Sequence, residues 1–163
     1  MDREQMDRAQ IVLQTVSSDN RDFLMLCEEL DFFLDGAIGG REKRQKYIGF
    51  NCPETMDVVL IAYADGKPAG GAALRRYSEK EVEVKRVFVR EEYRKRHIGS
   101  ALLKELIVRA KAMGYQRMIL ETGAFLEASV CLYRRYGFEQ IENYGVYRDM
   151  PESLCMGRDI LEL

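Results

Sequence analysis

Residues 82–99 read VEVKRVFVREEYRKRHIG. A β-rich run leads into a basic turn closed by glycine, and an amphipathic helix begins at once. Within the strand predicted over Glu81–Val89, apolar side chains hold the even positions Val82 and Val84, then move to the odd positions Val87 and Val89. A period-two pattern survives that change only if one extra residue enters near Lys85-Arg86. A β-bulge supplies it, bending the strand and releasing backbone groups from the ladder, where an extended amide-bearing arm can add as a strand. The competing reading is a continuous strand whose Arg86 and Phe88 lie on a differently covered face.

The turn that follows, Tyr93-Arg94-Lys95-Arg96-His97-Ile98-Gly99-Ser100, carries three consecutive cations to a helix entrance. Free N–H groups at a helix N-terminus, with arginine beside them, favour a bound anion without any metal. Gly99 permits close backbone approach. His97 is the only histidine of the chain and stands where a backbone-hugging loop favours glycine. By itself a basic turn is weak evidence, because most such runs are solvated surface.

Working outward, the chain reads as one α/β domain over residues 1–163. Residues 9–16 form a first strand. Ser17, Ser18, Asp19 and Asn20 offer N-caps for a helix over 20–36. Phe23, Leu26, Cys27, Leu30, Phe33 and Leu34 keep helical spacing there, and a shorter helix is expected over 41–50. Asp57–Ala64 and Ala69–Tyr77 form a hairpin around Asp65-Gly66-Lys67-Pro68. Glu81–Val89 continues the antiparallel series. Ile98–Met113 is a helix with Ile98, Leu102, Leu106, Ala110 and Met113 on one stripe, capped by Gly114. Strand Gln116–Glu121, helix Leu126–Tyr136, and strands Phe138–Glu142 and Leu154–Ile160 complete the order βααβββαβαββ. That order describes a mixed sheet, not a doubly wound parallel one.

Composition narrows the function. The net charge of −2, from 25 Lys and Arg against 27 Asp and Glu, gives no reason to expect nucleic-acid binding. Apolar stretches such as Val58–Ala64 are too short to span a bilayer. The charged start MDREQMDRAQ lacks an apolar signal core, so a cytoplasmic location is expected. Cys27, Cys52, Cys131 and Cys155 are far apart without a CxxC pair, so free thiols, mostly buried, are expected and no metal. A single histidine argues against a serine-type triad.

Taken together, these residues resemble the GCN5-related N-acetyltransferase (GNAT) superfamily, whose signature Q/R-x-x-G-x-G/A follows a strand and opens a helix. Arg94 takes its first position and Gly99 its last; His97 replaces its first glycine. The run ETGAFLEASVCLYRRYGF, residues 121–138, resembles the family's second motif, a helix bearing Leu-Tyr and closing in Gly-Phe. The tail from Tyr144 to Met156 is similar in rhythm to many bacterial members. The resemblance covers roughly residues 57–160.

The resemblance implies a GNAT-like, mostly antiparallel sheet whose splayed central strands hold acetyl-CoA as cosubstrate. It implies backbone bonds from Val87, Phe88 and Val89 to the pantetheine arm. Around the pyrophosphate it sets Arg94, Lys95, Arg96, His97, Ile98, Gly99 and Ser100. The implied reaction is acetyl transfer to a primary amine of a small molecule or peptide, by direct attack in a ternary complex. A non-catalytic acyl-CoA-binding regulatory domain of the same fold is the alternative, and a phosphate-binding module unrelated to CoA is a third reading. A homodimer through the C-terminal strands is expected by family analogy alone.

Such chemistry needs a base or proton relay, because a lysine-like amine has a pKa near 10.4, and it needs a proton for the departing thiolate. Glu83, before the bulge, is the first candidate base, with Glu121 in reserve. Tyr133, at the Leu-Tyr position, is the candidate acid; otherwise it is a core aromatic on the Leu126/Ser129/Val130 face. Oxyanion stabilisation falls to backbone N–H near Val87 or Val89. Leu126 stands where some members carry an asparagine. Glu28, Glu29, Asp31 and Asp35 on the first helix form an acidic rim or simply its solvated face. Tyr144, Tyr147 and Arg148 are candidates for acceptor or subunit contact.

Overall fold

A computed structural model describes residues 10–38 and 56–161. The strands are β1 (Ile11–Val16), β2 (Val58–Ala64), β3 (Lys67–Arg76), β4 (Glu81–Val89), β5 (Arg117–Gly123), β6 (Glu139–Ile141) and β7 (Ser153–Asp159). The helices are α1 (Arg21–Ile38), α2 (Ile98–Ala112) and α3 (Glu127–Arg135), with 3-10 turns at Glu91–Tyr93 and Gly145–Tyr147. One sheet of seven strands runs in the order β1-β2-β3-β4-β5-β7-β6. Every pairing is antiparallel except β4 with β5. The helix expected over 41–50 and Cys52 lie outside the described residues.

Local signals explain these elements. Asn20 caps α1, its Oδ1 accepting from the N–H groups of Asp22 at 2.9 Å and Phe23 at 3.2 Å. Asp65 and Gly66 both have positive φ, 48° and 80°, the geometry of a two-residue hairpin between Ala64 and Lys67. Gly114 closes α2 at φ 85°.

Both sheet faces are covered, which is why β2 reads as a continuous apolar run. Val59 and Ile61 pack beneath α1 with Phe23, Leu26 and Cys27. Leu60 and Ala62 point to the opposite face, with Leu102, Leu103 and Leu106 of α2. Met113, expected on the α2 stripe, instead ends the helix and is 47% exposed. Cys131 is exposed while Cys27 and Cys155 are buried, so the expectation of buried thiols holds for two of the three described.

The bulge is present. The register runs Gly71↔Phe88 and then Ala73↔Lys85, leaving Arg86 and Val87 opposite Ala72. Arg86 has φ 57°, the left-handed region usually given to glycine in such bulges. That conformation costs an ordinary L-residue about 1–2 kcal/mol. Bonds from its buried guanidinium to the Cys27 carbonyl (2.8 Å) and to Asp31 (3.0 Å) offset the cost and tie β4 to α1. Beyond the bulge Val87 and Val89 pack on the α2 side and Phe88 on the α1 side.

Gly70 pairs with Val89 at the far end of β4, and a Cβ there would lie 2.8 Å from the Phe88 carbonyl oxygen. Backbone cannot move aside cheaply. Gly70→Ala should therefore cost about 1–3 kcal/mol, read as a lower urea midpoint. An unchanged midpoint would show that β4 is free to shift.

Candidate active site

Pairing between β4 and β5 stops at Glu83↔Ile119, although β4 runs on to Val89 and β5 to Gly123. The two strands splay where the bulge begins. A cavity of about 670 Å³ fills the gap, lined by β4 from Val84 to Val89, by Glu121, Thr122 and Gly123 of β5, and by the entrance of α2. Leu126, Ser129, Leu132 and Tyr133 close it from the α3 side.

The free edge of β4 presents backbone to this cavity. The Arg90 N–H donates to the Ala69 carbonyl of β3 at 2.8 Å. Strand alternation then turns the N–H and C=O of Val89, and of Val87 before it, away from β3 and toward the gap. Arg94 Nε donates to the Val89 carbonyl from that side at 3.0 Å.

The basic turn enters α2 through two left-handed residues, Lys95 at φ 64° and His97 at φ 60°. Histidine thus takes the backbone conformation for which the signature uses glycine. Alternating handedness gathers successive N–H groups into a concave nest, and the first N–H groups of α2 have no partner within the helix. Gly99 has no positive φ; its place is tight, since a Cβ would meet Leu132 Cδ2 at 3.3 Å and Val89 Cγ2 at 3.8 Å. The Arg94 guanidinium lies over Phe33 (5.1 Å) and Phe88 (5.9 Å). Arg94, Lys95, His97, Ile98, Gly99 and Ser100 line the cavity. Arg96 does not; it stacks 5.6 Å over Tyr93.

Tyr133 reaches the cavity from α3, is 7% exposed and meets Phe138 edge-on at 5.9 Å. Burial, with the Glu121 carboxylate adding, pushes its phenol well above the ordinary range, so it stays protonated. Glu121 also lines the cavity. Burial raises its carboxyl above the usual carboxylate range, against the opposing pulls of a Ser153 hydrogen bond and the Lys85 charge.

Glu83 is 2% exposed and does not line the cavity. Its Oε2 accepts from the Tyr144 hydroxyl at 2.6 Å; its Oε1 lies 3.5 Å from Arg75 and 3.7 Å from Lys85. Lys85 Nζ in turn donates to the Tyr147 hydroxyl at 3.3 Å. Tyr144 and Tyr147 are therefore the roof over a buried polar cluster, while Arg148 is exposed. Asn143 Nδ2 organises that roof, approaching the carbonyls of Tyr147, Met150 and Ser153 at 3.1–3.2 Å. The acidic rim of α1 is partly engaged as well, since Glu29 pairs with Arg90 and Asp31 with Arg86, each at 3.0 Å.

Sequence reasoning located the bulge but missed what its two cations do. Lys85 and Arg86 are charged residues in a strand covered on both faces, and that mismatch was the available signal. No cluster able to hold a metal occurs among the described residues. No helix among them is long and apolar enough to cross a membrane.

The fold that holds this gap is shared with known proteins. The model of the acetyltransferase (GNAT) family matches residues 23–138. This chain belongs to the GNAT family. It is 34% identical over 102 residues to an IAA acetyltransferase of Azospirillum brasilense, covering 62% of this chain and 67% of that protein. It is 40% identical over 74 residues to an N-acetyltransferase of Schizosaccharomyces pombe, covering 45% of each. In fold it is similar to the PaiA N-acetyltransferase of Thermoplasma acidophilum, solved in complex with coenzyme A. The TM-score is 0.69 at 20% identity, over 92% of this chain and 99% of that one. The GNAT chain described here is accordingly an acetyltransferase with a mixed, mostly antiparallel sheet, as the resemblance implied.

Proposed function

We propose that this GNAT protein, one domain over residues 1–163, transfers the acetyl group of acetyl-CoA to a primary amine of a small molecule or peptide. The observation that carries the reading is the end of β4/β5 pairing at Glu83, with free backbone on one side of the gap and a cationic nest at its end. The residues fit the cosubstrate. Val87 and Val89 offer backbone amides to the pantetheine arm, and Arg94, Lys95 and the N–H groups of Ile98, Gly99 and Ser100 suit a pyrophosphate. Arg96 supplies charge from behind Tyr93. Phe88, expected to offer backbone, pairs with Gly71 so that its N–H and C=O face β3, and it gives the site packing alone.

When bound, acetyl-CoA supplies an activated thioester. The protein's share is to orient an amine, remove its proton and return one to sulfur. Tyr133, held protonated by burial, is the donor to the leaving thiolate. Of the two candidate bases, Glu121 is the one that lines the cavity, and its raised pKa makes it the better base; Glu83 supports the site through Lys85 and Tyr144. Direct attack in a ternary complex is the proposed order, and among the described residues Cys27, Cys131 and Cys155 all lie off the cavity lining.

Thiol release from acetyl-CoA across a panel of amines, with products identified by mass spectrometry, tests this reading. Intersecting initial-velocity lines are expected; parallel lines would contradict a ternary complex, and absence of turnover would contradict the enzyme. Because His97 spends conformational energy that glycine would not, His97→Gly should keep acetyl-CoA affinity within about threefold. A loss of about tenfold or more, roughly 1.4 kcal/mol, would instead place the imidazole on a phosphate.

A further inference from the structure

Lys85 is one of the residues lining the cavity that, on the reading above, receives an acetyl thioester, and its side chain ends in a primary amine. It sits immediately before the bulge, on the side where Glu83, Tyr147 and Glu121 converge. Its ammonium is held by one hydroxyl at 3.3 Å and by Glu83 at 3.7 Å, a loose set of partners for a side chain only 4% exposed. Burial, reinforced by the Arg75 and Arg86 charges and opposed by Glu83 and Glu121, lowers its hold on the proton and so raises the share of neutral, nucleophilic amine.

We propose that Lys85 is a self-acetylation site, taking the acetyl group from acetyl-CoA when no acceptor amine fills the cavity. The proposal rests on the acetyl-CoA reading and adds a substrate to it, the enzyme's own lysine. The Lys85 nitrogen lone pair forms the N–C bond to the thioester carbonyl carbon, and the C–S bond breaks. The proton lost from nitrogen passes by way of Glu121 or water and ends on sulfur, giving one N-acetyl-lysine and one free thiol. No other reactant enters. The product has lost the cation beside Glu83, so the modified site differs in charge from the resting one and self-acetylation throttles further turnover.

The test incubates the whole protein with acetyl-CoA and no amine, then digests it with trypsin. Acetylation blocks cleavage after Lys85, so the modified chain gives the peptide 81–86, EVEVKR, heavier by an acetyl group in place of hydrogen. Lys67 and Lys104, both exposed, report the solvent rate in the same sample. Lys85 is expected to be modified at least about tenfold faster than either, the advantage of a positioned nucleophile. Excess CoA should protect Lys85 and leave the other two unchanged. The wild type should release a burst of one thiol per chain that Lys85→Arg lacks. If acetyl-CoA binds and amines are acetylated while Lys85 stays unmodified, or is modified at the solvent rate, this proposal alone is overturned. If acetyl-CoA does not bind in a calorimetric titration, the functional reading falls and this proposal falls with it.

Discussion

Replacing Tyr133 with phenylalanine should lower kcat about 100-fold and change the KM for acetyl-CoA by less than about threefold, the pattern of an interaction made only in the transition state. The substitution removes one hydroxyl and keeps the ring that meets Phe138 edge-on, so the fold is expected to survive. Burial keeps the phenol protonated throughout the working pH range. Its loss should therefore depress the rate at every pH without moving either limb of the profile. Steady-state kinetics across pH provides the check. A kcat that matches the wild type at every pH would remove Tyr133 from the chemistry and leave it a core aromatic.

The two carboxylates should separate by what they damage. Glu121 faces the cavity with its pKa raised mainly by burial, so it holds its proton at pH values where an ordinary glutamate, near 4.3, has lost it. As a base it becomes active only as pH rises through that higher value. The acid limb of kcat/KM should therefore lie above the ordinary carboxylate range. Glu121→Gln should abolish that limb and lower kcat/KM about 100-fold. The same shift has a stability sign. The folded state binds the extra proton, so the Glu121 contribution to stability is present at low pH and is lost as pH rises from the unfolded pKa through the folded one.

Glu83→Gln acts elsewhere. It leaves Lys85 and Arg75 without the carboxylate that faces them in a site 2% exposed, and should cost about 3 kcal/mol of stability, read from urea unfolding. Retention of the acid limb in Glu83→Gln, with its loss in Glu121→Gln, is the expected pair of results. The reverse pair would restore Glu83 as the base.

How far the residues alone reached can be followed along β4. The change from Val82 and Val84 to Val87 and Val89 required an inserted residue, because side-chain direction in a strand is strictly alternating. The bulge was therefore legible, and with it the place where the sheet opens. The hairpin at Asp65-Gly66 and the cap at Asn20 were legible because each rests on neighbours in the chain. Glu83 was not legible as buried, since its cover comes from Tyr144, 61 residues away. No local pattern announces such a partner. Arg96 looked equivalent to Arg94 in a run of cations; only the backbone path of the turn sends one to the cavity and the other onto Tyr93. Met113 matched the α2 stripe by spacing, yet the helix ends beneath it. His97 stood out as a departure, and its left-handed backbone is how the turn absorbs it.

The opening between β4 and β5 is meaningful only if it holds the cosubstrate, and isothermal titration of the wild-type chain with acetyl-CoA measures that directly. One site per chain with a dissociation constant in the micromolar range is expected, in keeping with usual enzyme affinities of roughly 1 μM to 1 mM. Val in place of Gly99 should abolish the heat by filling the space between Val89 and Leu132. A wild-type chain that gives no binding heat, and shows no protection by CoA in thermal melts, would contradict the account.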